Sequence, residues 1–130
     1  MKLSELFGKG KTVFSCEVFP PKKDTPVDSI YTTLDGLKDI RPDFISVTYG
    51  AGGSKVNQTT REIASIIENK YRIPAMAHLT CITATRGEVT ELLYDLKADG
   101  VENVLALRGD RNPDYPPKTE FLHADELVAF

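Results

Sequence analysis

The 130-residue sequence is short of the features that usually announce a chemistry. It has no C-x-x-C pair, and its two cysteines, Cys16 and Cys81, sit in or beside apolar runs with no histidine at ligand spacing. They read as reduced core residues, not as a disulfide framework or a metal site. No apolar stretch approaches the roughly 18 residues of a membrane span, and Met1 to Gly10 lacks the charged-then-apolar pattern of a signal peptide. A cytoplasmic protein is the expectation, and there the sequon Asn57-Gln58-Thr59 and the adhesion-like Arg108-Gly109-Asp110 are chance matches. Nineteen acidic against sixteen basic residues leave a formal charge of -3 without long like-charge blocks. That argues against an electrostatic nucleic-acid binder. No G-x-G-x-x-G follows the first strand, where the chain reads PPKKDTP, and neither a P-loop nor a G-x-S-x-G elbow occurs. Any dinucleotide would bind in a non-Rossmann manner.

What the sequence does have is a period. Four apolar, strand-like runs end on Glu17, Thr48, His78 and Arg108, at separations of 31, 30 and 30 residues. This is about the length of a strand plus its crossover helix. Strands are predicted over Thr12–Phe19, Phe44–Tyr49, Ile73–Cys81 and Val101–Leu107. The first helix is predicted from a Thr25 cap, Pro26 at its first position and Asp28 as a capping-box acid, with Val27, Ile30, Leu34 and Leu37 as its apolar stripe. Val56, Ile63, Ile66, Ile67 and Tyr71 mark a second helix. A third opens on the Thr85-x-x-Glu88 box, carries Val89, Leu92, Leu93 and Leu96, and stops at Gly100. Ala124 to Phe130 begins a fourth.

The order β-α-β-α-β-α-β-α makes the strands parallel and the chain one α/β domain over residues 1–130. Either a four-stranded open sheet or the first half of a (β/α)8 TIM barrel would fit, and strand parity favours the barrel. Ser15, Glu17 and Phe19 share one face, as do Ser46 with Thr48, Met76 with His78 and Thr80, and Val104 with Ala106, Arg108 and Asp110. One face is apolar and the other turns polar towards its C-terminal end. A lumen capped by a site would have this pattern, whereas a doubly covered sheet prefers apolar residues on both faces.

Glu17 is the first candidate for chemistry, since a carboxylate inside VFSCEVF is expected to be partly desolvated, with a raised pKa suited to proton donation. The bland alternative is a glutamate paired with Arg108. His78 reads as a core histidine, and without a second ligand at the right spacing no metal site is expected. Thr48 and Tyr49 either contact a ligand or end a strand, and Gly50 to Gly53 would let a ligand approach the backbone or form an ordinary turn. In Arg108-Gly109-Asp110 the arginine can clamp an anion, the glycine clears a path for a ligand, and the aspartate can accept from a donor edge.

Four ordered motifs, Ser15 to Pro21 (SCEVFPP), Ser46 to Ala51 (SVTYGA), Ala77 to Cys81 (AHLTC) and Ala106 to Asp110 (ALRGD), resemble the flavin-dependent methylenetetrahydrofolate reductases. The resemblance covers the chain but only the first half of the family's barrel. It implies FAD at the C-terminal strand ends, NADH or NADPH as reductant, and a folate substrate, 5,10-methylenetetrahydrofolate, converted to 5-methyltetrahydrofolate. It puts the catalytic acid on Glu17, protonating the folate nitrogen as the imidazolidine ring opens to the iminium ion that accepts hydride. It puts a charge-tuning aspartate on Asp110. Flavin contacts fall on Thr48, Tyr49, Ala51, His78, Leu107, Arg108, Gly109 and Asp110, with His123 and Ala124 at the fourth helix, where the family often has tyrosine in place of His123. Strands five to eight would supply the remaining cofactor, folate and nucleotide contacts, so the 130 residues alone are expected to be incomplete for catalysis. Two alternatives stay open: a non-catalytic half-barrel that self-associates or binds a complementary half-barrel through its unpaired edges, and a flavin-free barrel lyase using His78 and Glu17.

Overall fold

The computed structural model describes residues 1–21, 25, 26, 28–49 and 54–130, the side chains of 54–57 excepted. Ala51, the Gly50–Gly53 loop, Val27 and the Val56 side chain therefore lie outside the described residues. Four strands, β1 (Ser15–Val18), β2 (Phe44–Val47), β3 (Ala75–Thr80) and β4 (Asn103–Leu107), form one parallel sheet in the order β1-β2-β3-β4. Between and after them run α1 (Ser29–Asp39), α2 (Ser54–Asn69), α3 (Arg86–Ala98) and α4 (Ala124–Ala129). The strands are shorter than the apolar runs suggested, because pairing begins only at Ser15, below which the Phe14 amide bonds the Asp43 carboxylate.

The helices cover one face of the sheet. Val18, Ile45, Val47, Ala75 and Ala77 are buried with Ile30 and Leu34 of α1, Ile63 and Ile67 of α2, and Leu96 of α3. A second cluster joins Leu79 and Cys81 to Val89, Phe121 and Leu127, with Val104 and Ala106 packed against both or one of these groups. Consecutive strand order with the four described α-helices packed on one side is the winding of a barrel, since a doubly wound sheet reverses its strand order and covers both faces. The fold is thus an α/β unit consistent with the first half of a TIM-barrel domain.

Register corrects the parity expected for β4. Glu17 pairs with Ser46, Ser46 with Met76 and Met76 with Asn103, and His78 pairs with Leu105. Paired residues in a parallel ladder share a face, so Leu105 and Leu107 stand beside His78 and Thr80, while Val104 and Ala106 face the helices. The polar residue reaches the mouth because the ladder is disturbed there: the Cys81 amide is shared between the carbonyls of Leu107 and Arg108, 3.1 and 3.2 Å away. Two residues of one strand opposing one of the next is a bulge, which re-aims the side chains after it.

Helix termini follow the sequence in one case and depart from it in another. Thr85 Oγ1 accepts from the Glu88 amide at 3.2 Å and the Glu88 carboxylate accepts from the Thr85 amide at 2.7 Å, a complete capping box on α3. Its other end closes at Gly100, φ +79°, with the amides of Gly100 and Val101 returned to Lys97 and Leu96. The start of α1 is a correction: Asp28, not Thr25, is the N-cap, and its side chain makes no capping hydrogen bond. The Pro26 carbonyl accepts from the Ser29 amide, so a turn is inserted before the helix and displaces the start past the predicted cap. Thr85→Ala is expected to lower the unfolding free energy by about 1 kcal/mol, with Thr85→Ser close to wild type, in urea titrations at unchanged slope.

Candidate functional site

All four period-marking residues lie towards the C-terminal edge of the sheet, but at different heights. Glu17 is level with Ser46 and Met76. Thr48 follows Val47, the partner of Ala77, and so is level with His78. Arg108 follows Leu107, the partner of Thr80, and stands three residues, about 10 Å, further along than His78. The stagger makes a sloping wall, with Glu17 at its foot.

Glu17 is less enclosed than its apolar neighbours implied. Its side chain is 48% exposed, because among the described residues β1 is an edge strand and none of the four α-helices packs on this face. Its partners also differ from the arginine considered above. Oε2 accepts from the Ser46 hydroxyl at 3.3 Å and lies 3.5 Å from Nε2 of His78, while Arg108 turns its Nε to the carbonyl of Gly109. His78 is buried on β3, and its Nε2 has no hydrogen-bond partner among the described residues. Burial pushes its pKa below the ordinary value and outweighs the opposing pull of Glu17.

Above this group opens a cavity of about 600 Å³. Thr48, Tyr49, His78, Leu107, Arg108, Gly109 and Asp110, seven of the residues singled out from the sequence, line it together. Burial pushes the Tyr49 hydroxyl up to about 12, so it stays protonated as a donor. Gly109 has φ +87°, and a Cβ there would stand 2.9 Å from Cβ of Thr80. The glycine is therefore demanded by the backbone and by Thr80 and Ile82, beyond any clearance for a ligand.

Glu17 touches the cavity through His78 and does not line it. Nor do His123 and Ala124: the His123 amide is held by the Glu126 carboxylate and its carbonyl accepts from the Cys81 thiol at 3.5 Å. Sequence reading missed Thr80, Ile82, Thr83 and the Arg111–Tyr115 wall, along with Ser46 as a partner of Glu17. Thr80 and Ser46 share faces with His78 and Glu17, a parity signal that could have found them. The wall had none, being a polar loop pinned by contacts distant in sequence: the Lys118 amide bonds the Ile82 carbonyl, Lys118 Nζ bonds Glu88, and the Arg86 amide bonds Glu120. Among the described residues no group of three or more His, Cys, Asp or Glu is placed to hold a metal.

Comparison with known proteins gives this arrangement a family. The family model described as methylenetetrahydrofolate reductase matches residues 2–130. The chain belongs to the methylenetetrahydrofolate reductase family. It is 39% identical over 109 residues to a rice protein named "Probable methylenetetrahydrofolate reductase (NADH)", covering 84% of this chain and 18% of that one. To the Escherichia coli 5,10-methylenetetrahydrofolate reductase it is 34% identical over 120 residues, covering 92% of this chain and 40% of the relative. A Pectobacterium carotovorum reductase is 35% identical over 108 residues, covering 83% of this chain and 35% of the relative. The chain thus spans well under half of these reductases.

Two outcomes follow from the geometry of this reductase-family site. Gly109→Ala should cost at least about 2 kcal/mol of stability, read from the shift in unfolding midpoint, through left-handed backbone strain and the Thr80 contact. His78 titrates in the folded chain below its ordinary 6.5, so as pH falls the unfolded chain takes up this proton first. The stability it contributes is present above about 6.5 and is lost below it, until the folded group protonates too. Between about pH 7 and about pH 5 the wild type should therefore lose more stability than His78→Gln.

Proposed function

We propose that the protein is a flavin-dependent oxidoreductase that reduces 5,10-methylenetetrahydrofolate to 5-methyltetrahydrofolate with NADH or NADPH, and that these residues form the first half of its catalytic barrel. The family membership carries this reading, and the gathering of seven anticipated residues around one cavity supports it. The cavity fits a large planar cofactor in one further respect. The buried Nε2 of His78, 3.5 Å from Oε2 of Glu17, has no hydrogen-bond partner among the described residues and gains from a ligand able to hydrogen-bond it.

FAD, when bound, supplies hydride transfer between the pyridine nucleotide and the folate. Thr48, Tyr49 and His78 would orient its ring from β2 and β3, and Leu107 to Asp110 would hold it from β4. Ala51, outside the described residues, and the more distant His123 and Ala124 belong to the same proposed contact set. Asp110 contributes a negative charge that favours a cationic folate species nearby. Glu17, within reach of solvent, gives a proton to the folate nitrogen whose ring opens, and is reprotonated from water. A cytoplasmic setting accords with Cys16 and Cys81 standing as free thiols.

One observation favours an additional property. β1 and β4 are edge strands among the described residues, and Phe19 and Leu105 on the uncovered face are exposed. A 130-residue polypeptide with these features would self-associate or take up a complementary half-barrel, whatever its catalytic state. Light scattering after size exclusion should show a species larger than a monomer.

Glu17→Gln in the full-length reductase tests the catalytic reading. NADH should still bleach the visible absorbance of the reconstituted enzyme, while folate reduction falls by about 100-fold or more. Loss of both half-reactions with fold and FAD retained would contradict the role given to Glu17.

A further inference from the structure

Ser46 touches the proton-donating carboxylate and has no part in the chemistry set out above. It is 5% exposed on β2, between β1 and β3, and is the register partner of Glu17. Its neighbours Ile45 and Val47 are fully buried, which fixes the backbone from which the hydroxyl projects. That hydroxyl donates to Oε2 of Glu17 at 3.3 Å, and Nε2 of His78 approaches the same oxygen at 3.5 Å. Oε1 accepts no hydrogen bond among the described residues.

We propose that Ser46 is the positioning residue for Glu17, holding Oε2 against the sheet and leaving Oε1 to carry the proton towards the substrate. The inference rests on the proton-donor role of Glu17. An oxygen that accepts from Ser46 is the carbonyl-like one in the protonated acid, so the acidic proton is placed on Oε1. In the transfer the Oε1–H bond breaks, a nitrogen–proton bond forms on the substrate, and the electron pair left on the carboxylate is shared with Oε2. The Ser46 hydrogen bond strengthens as that charge develops, so it favours the transition state over the ground state. It also restricts a side chain that is 48% exposed and otherwise free to sample several rotamers in water.

The test is single-turnover folate reduction by the full-length reductase, compared among wild type, Ser46→Ala, Ser46→Thr and the same changes combined with Glu17→Gln. Ser46→Ala should slow the folate step about tenfold to a hundredfold, while Ser46→Thr, which keeps the hydroxyl, restores most of the rate. In the Glu17→Gln enzyme Ser46→Ala should add no further loss, since the group it positions is already gone. A wild-type rate in Ser46→Ala would overturn the proposal, as would failure of Ser46→Thr to restore the rate or an undiminished further loss in the Glu17→Gln background, each of which marks a packing role. Normal folate reduction by Glu17→Gln alone would instead overturn the role of Glu17 itself. Thermal midpoints of all variants identify any that lose activity by unfolding.

Discussion

Everything at the candidate site depends on the four described α-helices packing against the same face of the sheet. Because the helices bury Val18, Ile45, Val47, Ala77 and Leu79 on one face, the opposite face is released from the demand for apolar side chains. Glu17, Ser46, His78 and Thr80 occupy it without disturbing the core. A parallel ladder then keeps their heights fixed relative to one another, and the strand ends rise as a wall from Glu17 to Arg108. Helix–sheet packing supplies the rigidity, and the polar face supplies the chemistry.

Attachment of the β4 loop to the rest of the fold extends the same logic. Glu88 closes the capping box of α3 and also receives Lys118, whose charge and hydrogen bond, joined by the Thr85 amide, hold its carboxyl below the usual range. Phe121 is fully buried beneath Arg86. The segment between Arg111 and Tyr115 is consequently anchored on its far side and forms a standing wall of the cavity. Gly109 turns the chain into that wall with a backbone no other residue adopts without strain.

Much of this was legible in the sequence, for reasons that can be assigned. The thirty-residue period and the one-sided polarity of the strands arise from the winding itself, so they report the winding. The Thr85–Glu88 box and Gly100 are local signals whose partners lie within a few residues, and both form as read. The parity of β4 was misread because a bulge at Leu107 and Arg108 changes phase, and a single strand does not record which partner amide is shared. The start of α1 moved to Ser29 because Pro26 supports a turn as well as a first helical residue. Glu17 looked enclosed from its neighbours along the chain, yet enclosure depends on what covers the face, and there nothing described does. Ser46 as a partner of Glu17 required register, which only the pairing of β1 with β2 provides.

The central claim is that this face forms half of a flavin site serving folate reduction. The visible spectrum of the full-length reductase after reconstitution with FAD tests it most directly. The expected result is a bound-flavin spectrum that bleaches when NADH or NADPH is added and returns when 5,10-methylenetetrahydrofolate follows. A correctly folded full-length protein that retains no flavin, or whose flavin responds to neither pyridine nucleotide nor folate, would contradict it.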